Sequence, residues 1–196
     1  MKILAGARIA GADCTLFRSR LHFGGFLREA LSAELPSDAF DWGDFRRGGE
    51  PVKLAMLSAA AARLDLVGGP DSFATGVLGW NGAGCGEENA RFWRDCRANG
   101  GTGRGGLFVG TLHSIPVCEA AIALGLHGAA GYLAGEDWAR TAEDFLGAYA
   151  LAGLLMLEIS VGKADALWLA PGEAATAAYP TFGACCDDLA KNGIPG

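Results

Sequence analysis

The feature that most constrains this fold is an apolar run, FLGAYALAGLLML, from Phe145 to Leu157. The run is shorter than the roughly 20 residues of a membrane-spanning helix, and Glu158 ends it. It must therefore be buried inside the protein. Charged side chains precede this run. We therefore expect one long helix from Asp137 to Val161 that is charged in its first turns and apolar on every face in its later turns. A helix that is apolar on every face is buried on every face.

Short strand patterns and helix patterns alternate along the chain. We expect strands over residues 2–11, 73–80, 131–134, 164–170 and 175–182. We expect helices over residues 52–66, 87–98 and 107–126, the first with Pro51 at its start. No internal repeat is evident. The alternation predicts a single α/β domain over residues 1–196.

The composition indicates extensive burial and excludes one class of partner. Hydrophobic residues make up 51% of the chain and charged residues 19%, so a large apolar surface is buried in a core or reserved for a partner. The formal net charge of −6 disfavours nucleic acid, whose phosphates are bound by lysine and arginine. It also disfavours direct docking of an acidic carrier protein on this chain.

The cysteines indicate a reducing compartment. The six cysteines form no CxxC pair, and none of the three histidines lies at zinc-ligand spacing from them. We interpret them as reduced thiols of a cytoplasmic protein and expect no metal. The segment Met1–Ala12 is not typical of a secretory signal, because Arg8 interrupts its apolar run.

A glycine-rich turn, WNGAGCGEEN, follows the strand predicted over residues 73–80. Gly82, Gly84 and Gly86 are spaced G-x-G-x-G, whereas a dinucleotide site needs its third glycine three residues after the second. Glu87 stands there and would repel a pyrophosphate at the helix N-terminus. We therefore predict a tight structural turn and no nucleotide cofactor.

Two cysteine positions are weak candidates for chemistry. His113 and Cys118 are five residues apart, a poor match to the spacing of neighbours on one helical face. Cys185–Cys186 precede Asp187–Asp188, whose charge raises rather than lowers a thiol pKa. We expect these cysteines to be buried, unreactive side chains.

From FVGTLHSIPVCEAAIALGLHGAAGYLAGEDWA onward, the chain resembles a beta-ketoacyl synthase, the condensing enzyme of fatty acid and polyketide assembly. The family has a strand ending in a glycine-rich turn, like GVLGWNGAG here. Its Gly-Leu-x-Gly-Pro segment is similar to Gly125–Ala129, and its Gly-x-Ala-Asp-Ala segment to Gly162–Ala166. Order and spacing agree over about residues 50 to 170.

The resemblance implies one half of the thiolase-like fold, a five-stranded mixed sheet with flanking helices that is normally duplicated. Counting nine residues from Gly128, the family's nucleophilic cysteine falls on Asp137, beside Glu136 and Trp138. The family's two catalytic histidines belong to the second half. Neither His22 nor the other two histidines, His113 and His127, lie in a matching motif.

These losses predict a non-catalytic ketosynthase-like subunit, comparable to a chain length factor, in fatty acid or polyketide-type assembly. A long helix apolar on all sides would leave one face uncovered. We therefore expect a homodimer or a heterodimer with a ketosynthase, with an interface well above about 1,000 Å². An acyl carrier protein would then be contacted through that partner.

Three alternatives remain open at this point. Asp137 or Glu136 could serve as a general base in hydrolysis or decarboxylation of an acyl thioester. The chain could instead be an acyl-ligand-binding or scaffolding domain. Finally, Asp, Glu and Trp are ordinary residues at a helix start, because an acidic first turn complements the helix dipole.

Overall fold

The computed structural model describes residues 1–82, 84–133, 137–172 and 179–195. Runs of one to three strands alternate with runs of one to three helices. In chain order they are β1 Lys2–Ala10, β2 Asp13–Leu16, β3 His22–Gly24, α1 Leu27–Glu34, α2 Glu50–Asp65, β4 Thr75–Asn81, α3 Gly86–Ala98, α4 Gly105–Val109, α5 Ile115–Ala123, β5 Ala130–Tyr132, α6 Trp138–Ala148, β6 Gly153–Ser160, β7 Lys163–Ala170 and α7 Phe182–Asn192.

Within these residues, one mixed sheet of seven strands organises the chain, in the order β3-β2-β1-β7-β6-β4-β5. The strands β6, β4 and β5 are parallel, whereas β7 runs antiparallel to both β6 and β1. The expected sheet had five strands. Two of the additional strands, β2 and β3, form an antiparallel extension beyond β1, in a segment that carries no clear strand pattern.

The predicted long helix from Asp137 to Val161 is wrong. The helix α6 ends at Ala148, and the apolar residues that follow form β6. This strand lies between β4 and β7 with both faces covered, so Leu154–Leu157 are fully buried on either side. A strand buried on two faces has no apolar–polar alternation, and its sequence resembles that of a buried helix. The described residues therefore include no long helix with an uncovered apolar face, and the expected dimer can no longer be argued from one.

Helices cover the two faces of the sheet unequally. One face packs against α1, α2 and α5. The other packs against α6 and α7. The helix α2 lies close on the first face, because its run Ala59–Ala62 is fully buried and small enough to admit a close approach to the strands. The core is therefore split into two layers by the sheet.

The other predicted elements agree with the structure to different extents. The helix expected over residues 52–66 is confirmed as α2, with Pro51 in its first turn. The helix expected over residues 107–126 is divided into α4 and α5, with turns between Val109 and Ile115. Of the strand expected over residues 175–182, residues 175–178 lie outside the described part of the chain, and Phe182 begins α7. Among the described residues, no helix has the length and apolar character needed to cross a membrane.

Candidate functional site at the carboxyl ends of the parallel strands

The parallel strands β4, β5 and β6 end at one edge of the sheet, and ligands of open α/β sheets bind at such an edge. The glycine-rich turn leaves β4 here and enters α3. The segment that follows β5 leads to Asp137 and α6. Both sequence candidates, the turn and the acidic helix start, therefore belong to the same end of the sheet.

Asp137 is the N-cap of α6. Its carboxylate oxygen Oδ1 accepts a hydrogen bond from the backbone N–H of Arg140 at 3.1 Å, and the side chain is otherwise exposed. The Thr141 hydroxyl donates to the Asp137 carbonyl at 2.7 Å. Capping satisfies an N–H that the helix leaves unpaired. The carboxylate thus has a structural role and remains open to solvent.

The neighbours of Asp137 differ in their placement. Trp138 is buried to 2% exposure, and its ring meets Phe182 edge-on, with centroids 5.3 Å apart. Phe182 also contacts Trp80 edge-on at 5.1 Å. Trp138 therefore joins α6 to α7 within the core. Glu136 lies outside the described residues.

Asn81, the last residue of β4, is a polar residue in the core that belongs to no recognisable sequence motif. It is 4% exposed, and its Nδ2 donates to the Gly84 carbonyl at 3.0 Å. Its backbone N–H donates to the Tyr132 hydroxyl at 3.4 Å, which ties the end of β4 to the end of β5. Its Oδ1 has no hydrogen-bond partner among the described residues. The only signal in the sequence was an asparagine directly after a buried strand.

Cys85 belongs to this turn as the N-cap of α3, and its thiol is not activated. Nδ2 of Asn81 lies 3.8 Å from its sulfur. Burial and the charge of Glu88 raise the pKa of Cys85, while the Asn81 contact lowers it less. A raised pKa keeps the thiol protonated near neutral pH, and a protonated thiol is a poor nucleophile.

The three histidines lie in different parts of the fold. The His113 ring approaches the candidate site, 6.3 Å from the ring of Tyr132. His127 stacks on Phe73 at 5.0 Å, where β4 and β5 begin. His22 lies on the far edge strand β3, 3.3 Å from the Thr15 hydroxyl. The described residues therefore bring one histidine, not two, to this edge.

The glycine-rich turn borders an acidic cavity of about 200 Å³. Gly84, Gly86 and Ser160 contribute to its wall together with three carboxylates, those of Glu50, Glu87 and Glu88. Gly84 has a φ of +71°, a conformation that glycine adopts without strain. Three carboxylates around the cavity repel phosphate groups, in agreement with the structural turn predicted from the sequence.

The remaining cysteine candidates are also protonated thiols. Burial and the Glu119 charge raise the pKa of Cys118, which is half-buried on α5. Burial and nearby carboxylates raise the pKa of Cys185 to about 12. The pKa of its fully buried neighbour Cys186 is raised for the same reasons. All six cysteines are free thiols in the structure.

Comparison with known proteins finds similarity in structure alone. No protein family model matches the chain, and no curated protein matches it. A solved structure described as the ishigamide ketosynthase/chain length factor superposes with a TM-score of 0.59 at 14% identity. It covers 89% of this chain, which spans only 63% of that one.

A second solved structure is a ketosynthase, ApeO, in complex with its chain length factor, ApeC, from Xenorhabdus doucetiae. It superposes with a TM-score of 0.52 at 17% identity, over 88% of this chain and 80% of that one. At such low identity the likeness concerns the fold. The chain therefore has the α/β, thiolase-like fold of ketosynthase and chain length factor structures.

Proposed function

We propose that this chain is a non-catalytic ketosynthase-like subunit, comparable to a chain length factor, that pairs with an active ketosynthase in acyl chain assembly. One observation carries the proposal. By the family resemblance, Asp137 stands at the position of the nucleophilic cysteine. Its carboxylate caps α6. A thiolate holds an acyl group as a thioester, whereas a carboxylate would give a mixed anhydride that water hydrolyses.

The histidines support the same proposal. A condensing enzyme needs two histidines near its nucleophile, according to the family resemblance. Here His22 and His127 lie at other parts of the sheet from the carboxyl edge that holds Asp137. A partner ketosynthase would have to supply both the nucleophile and the histidines.

Exposed apolar side chains give the chain a surface for such a partner. The helices α3 and α4 pack together through Phe92 and Phe108, whose ring centroids are 5.6 Å apart. Trp93 is 60% exposed and Phe108 50% exposed. Cys96 is the only buried residue among the described residues of the two helices. Aromatic residues and arginine are enriched at protein interfaces, and Arg94 and Arg97 lie exposed on the same helix.

A second candidate function is hydrolysis or decarboxylation of an acyl thioester, with Asp137 as general base. It is favoured by the exposure of the Asp137 carboxylate at the edge where α/β sheets bind ligands. A third candidate, an acyl-binding or scaffolding domain without a synthase partner, would need neither Asp137 nor a ketosynthase.

Co-expression with ketosynthases from neighbouring genes tests these candidates. We expect a stable complex by solution mass, chain elongation only when the ketosynthase is present, and no acyl adduct on this chain by intact-mass spectrometry. The variant Asp137→Asn keeps a capping side chain and removes the charge. It should preserve both the complex and the elongation rate, as should the control Asp144→Asn.

The other outcomes separate the candidates. Loss of elongation in Asp137→Asn with an intact complex would contradict the non-catalytic proposal and support a catalytic carboxylate. Thioester hydrolysis by the isolated chain that disappears in Asp137→Asn would support the second candidate. A monomer that binds none of the ketosynthases tested would contradict the partner role and favour the third candidate.

A further inference from the structure

Much of α3 is left uncovered by the rest of the fold. This helix packs mainly against α4, and of its residues only Cys96 is buried. Arg91, Arg94 and Arg97 are all exposed and recur every third residue, so that each lies beside the next on the helix surface. We call these three residues the arginine row. It is a basic surface on a chain whose formal net charge is −6.

No carboxylate of the described residues neutralises the arginine row. None of its guanidinium nitrogens lies within 4 Å of a carboxylate oxygen of those residues. Asp95 lies within the same turns, but Arg104 holds both of its oxygens. Oδ1 accepts from the Arg104 Nε and Oδ2 from the Arg104 backbone N–H, each at 2.9 Å. The charge of the row is therefore available to another molecule.

The acidic first turn of α3 leaves most of this charge in place. Glu87 lies one turn before Arg91 and offsets that charge in part. Along the helix axis it lies about 10 Å from Arg94 and about 15 Å from Arg97. Charges in contact with solvent are largely screened beyond about 8 Å at physiological salt. A molecule that approaches Arg94 and Arg97 therefore meets a local positive charge, although the chain as a whole is acidic.

Helix stability does not account for the arginine row. A cation in the last turn complements the helix dipole, which explains Arg97. Arg94 instead has Arg91 and Arg97 as its neighbours, three residues away on either side. Like charges at neighbouring positions of a helix destabilise it. The position of Arg94 thus costs stability in the isolated chain, as expected of a side chain that serves binding.

An exposed aromatic side chain lies beside the row. Trp93 is 60% exposed and four residues before Arg97, so the two share one side of α3. Its ring contacts that of Phe92, which contacts that of Phe108, with centroids 5.8 and 5.6 Å apart. Tryptophan and arginine are enriched among the residues that dominate binding at protein interfaces. The combination favours a protein surface over a small anion.

We propose that the arginine row and Trp93 bind an acidic helix or loop of a protein partner, with carboxylates against the arginines and an apolar side chain against Trp93. A nucleic acid suits this surface less, because its affinity comes from many phosphate contacts and the rest of the chain is acidic. The inference rests on the proposed function for the identity of the partner, a ketosynthase. Its charge preference can be measured on this chain alone.

Labelled peptides measure that preference by fluorescence anisotropy with the full chain. The acidic probe is an alanine-based helical peptide with glutamates and a leucine on one side, and the control peptide has glutamine at each glutamate position. We expect the acidic peptide to bind at least about tenfold more tightly at low salt, and this advantage to disappear in about 1 M salt. Equal binding of the two peptides at low salt would overturn the inference. Tighter binding of a single-stranded oligonucleotide of the same formal charge would overturn it in favour of nucleic acid.

Charge reversal locates the binding. Arg94→Glu should weaken binding of the acidic peptide about tenfold, because it reverses the centre of the row. Arg140→Glu changes the net charge equally at an exposed position of α6 and should leave binding unchanged. Both substitutions lie on the surface, and circular dichroism verifies that the variants fold. Equal affinities of the two variants for the peptide would overturn the inference.

The ketosynthase complex separates this inference from the proposed function. In the co-expressed complex, Arg94→Glu should raise the dissociation constant about tenfold and Arg140→Glu should not. A complex that Arg94→Glu leaves unchanged would overturn the inference, while the proposed pairing would stand. Normal peptide binding without a complex with any ketosynthase tested would contradict the proposed pairing and support the charge preference of α3.

Discussion

The carboxylate of Asp137 and the backbone N–H of Arg140 form a hydrogen bond of 3.1 Å that closes the first turn of α6. The residue that the family resemblance aligns with a nucleophile is thus an N-cap by geometry. The capping role and a catalytic role predict different effects of substitution, because asparagine caps a helix as well as aspartate does.

Replacing Asp137 by alanine should lower the free energy of unfolding by about 0.5–2 kcal/mol, the usual cost of losing a cap. Asp137→Asn should stay close to the original protein. Asp144→Ala, on an exposed position of the same helix, serves as the control. Urea denaturation followed by circular dichroism measures all three. Equal destabilisation by alanine at positions 137 and 144 would contradict the capping role.

A buried ion pair next to α7 should contribute more to stability than an exposed one does. Arg8 of β1 donates from Nε and Nη2 to the two oxygens of Asp165 on β7, at 2.6 and 3.0 Å. Asp165 is 1% exposed, whereas Asp187, the other partner of Arg8, is largely exposed. Burial alone would lower the pKa of Arg8, but its hydrogen bonds to Asp165 and Asp187 and the charge of Asp165 hold it above its ordinary value.

Removal of Asp165 takes away the buried carboxylate and leaves the largely buried Arg8 with only the exposed carboxylate of Asp187. Asp165→Ala should therefore lower the free energy of unfolding by about 3–5 kcal/mol. Asp187→Ala should lower it by less than about 1 kcal/mol, as is usual for exposed pairs. Thermal and urea unfolding of both variants measure the difference. Similar small losses for both would show that the Arg8–Asp165 contact contributes little.

Local patterns predicted the elements whose two faces differ or whose ends carry clear signals. Pro51 and the alanine run specify α2, and short apolar runs between turns specify β4 and β7. The β6 strand could not be distinguished from a helix, because Leu154–Leu157 are apolar at every position and both periodicities fit. Only its neighbours β4 and β7, which are distant in sequence, decide the conformation.

The sites were predictable to a lesser degree. The spacing from Gly128 points to Asp137, and an aspartate before a helix is itself a capping signal. The sequence therefore predicts Asp137 at the start of α6. The contact between Asn81 and Tyr132 joins residues 51 positions apart. No local pattern carries such non-local relationships.

Glu158 should make the stability depend on pH. Burial and the charge of Asp165 raise its pKa above the ordinary 4.5, while Lys163, Trp80 and Arg8 oppose this less strongly. The folded state therefore holds the proton to higher pH than the unfolded state. The stability from this proton is fully present below the unfolded pKa and is lost as the pH rises through the folded pKa.

The variant Glu158→Gln removes that titration. Its free energy of unfolding relative to the original protein should increase between pH 4.5 and pH 8. Glu34→Gln, at an exposed position, is the control and should show no comparable change. Urea unfolding across this pH range measures the difference. A constant offset between Glu158→Gln and the original protein at every pH would contradict the raised pKa.

Gly128, the glycine from which the position of Asp137 was counted, has a packing role that can be measured separately. A Cβ at this position would collide with the backbone carbonyl of Thr75, so the chain approaches β4 at a distance that only glycine permits. Gly128→Ala should lower the free energy of unfolding by about 1–3 kcal/mol, because backbone atoms must move. Gly147→Ala, in the open part of α6, should be neutral or stabilising by up to about 1 kcal/mol. Equal stability of the two alanine variants in urea would show that the backbone around Thr75 accommodates the added methyl group without cost. Gly128 would then not be required for packing against β4.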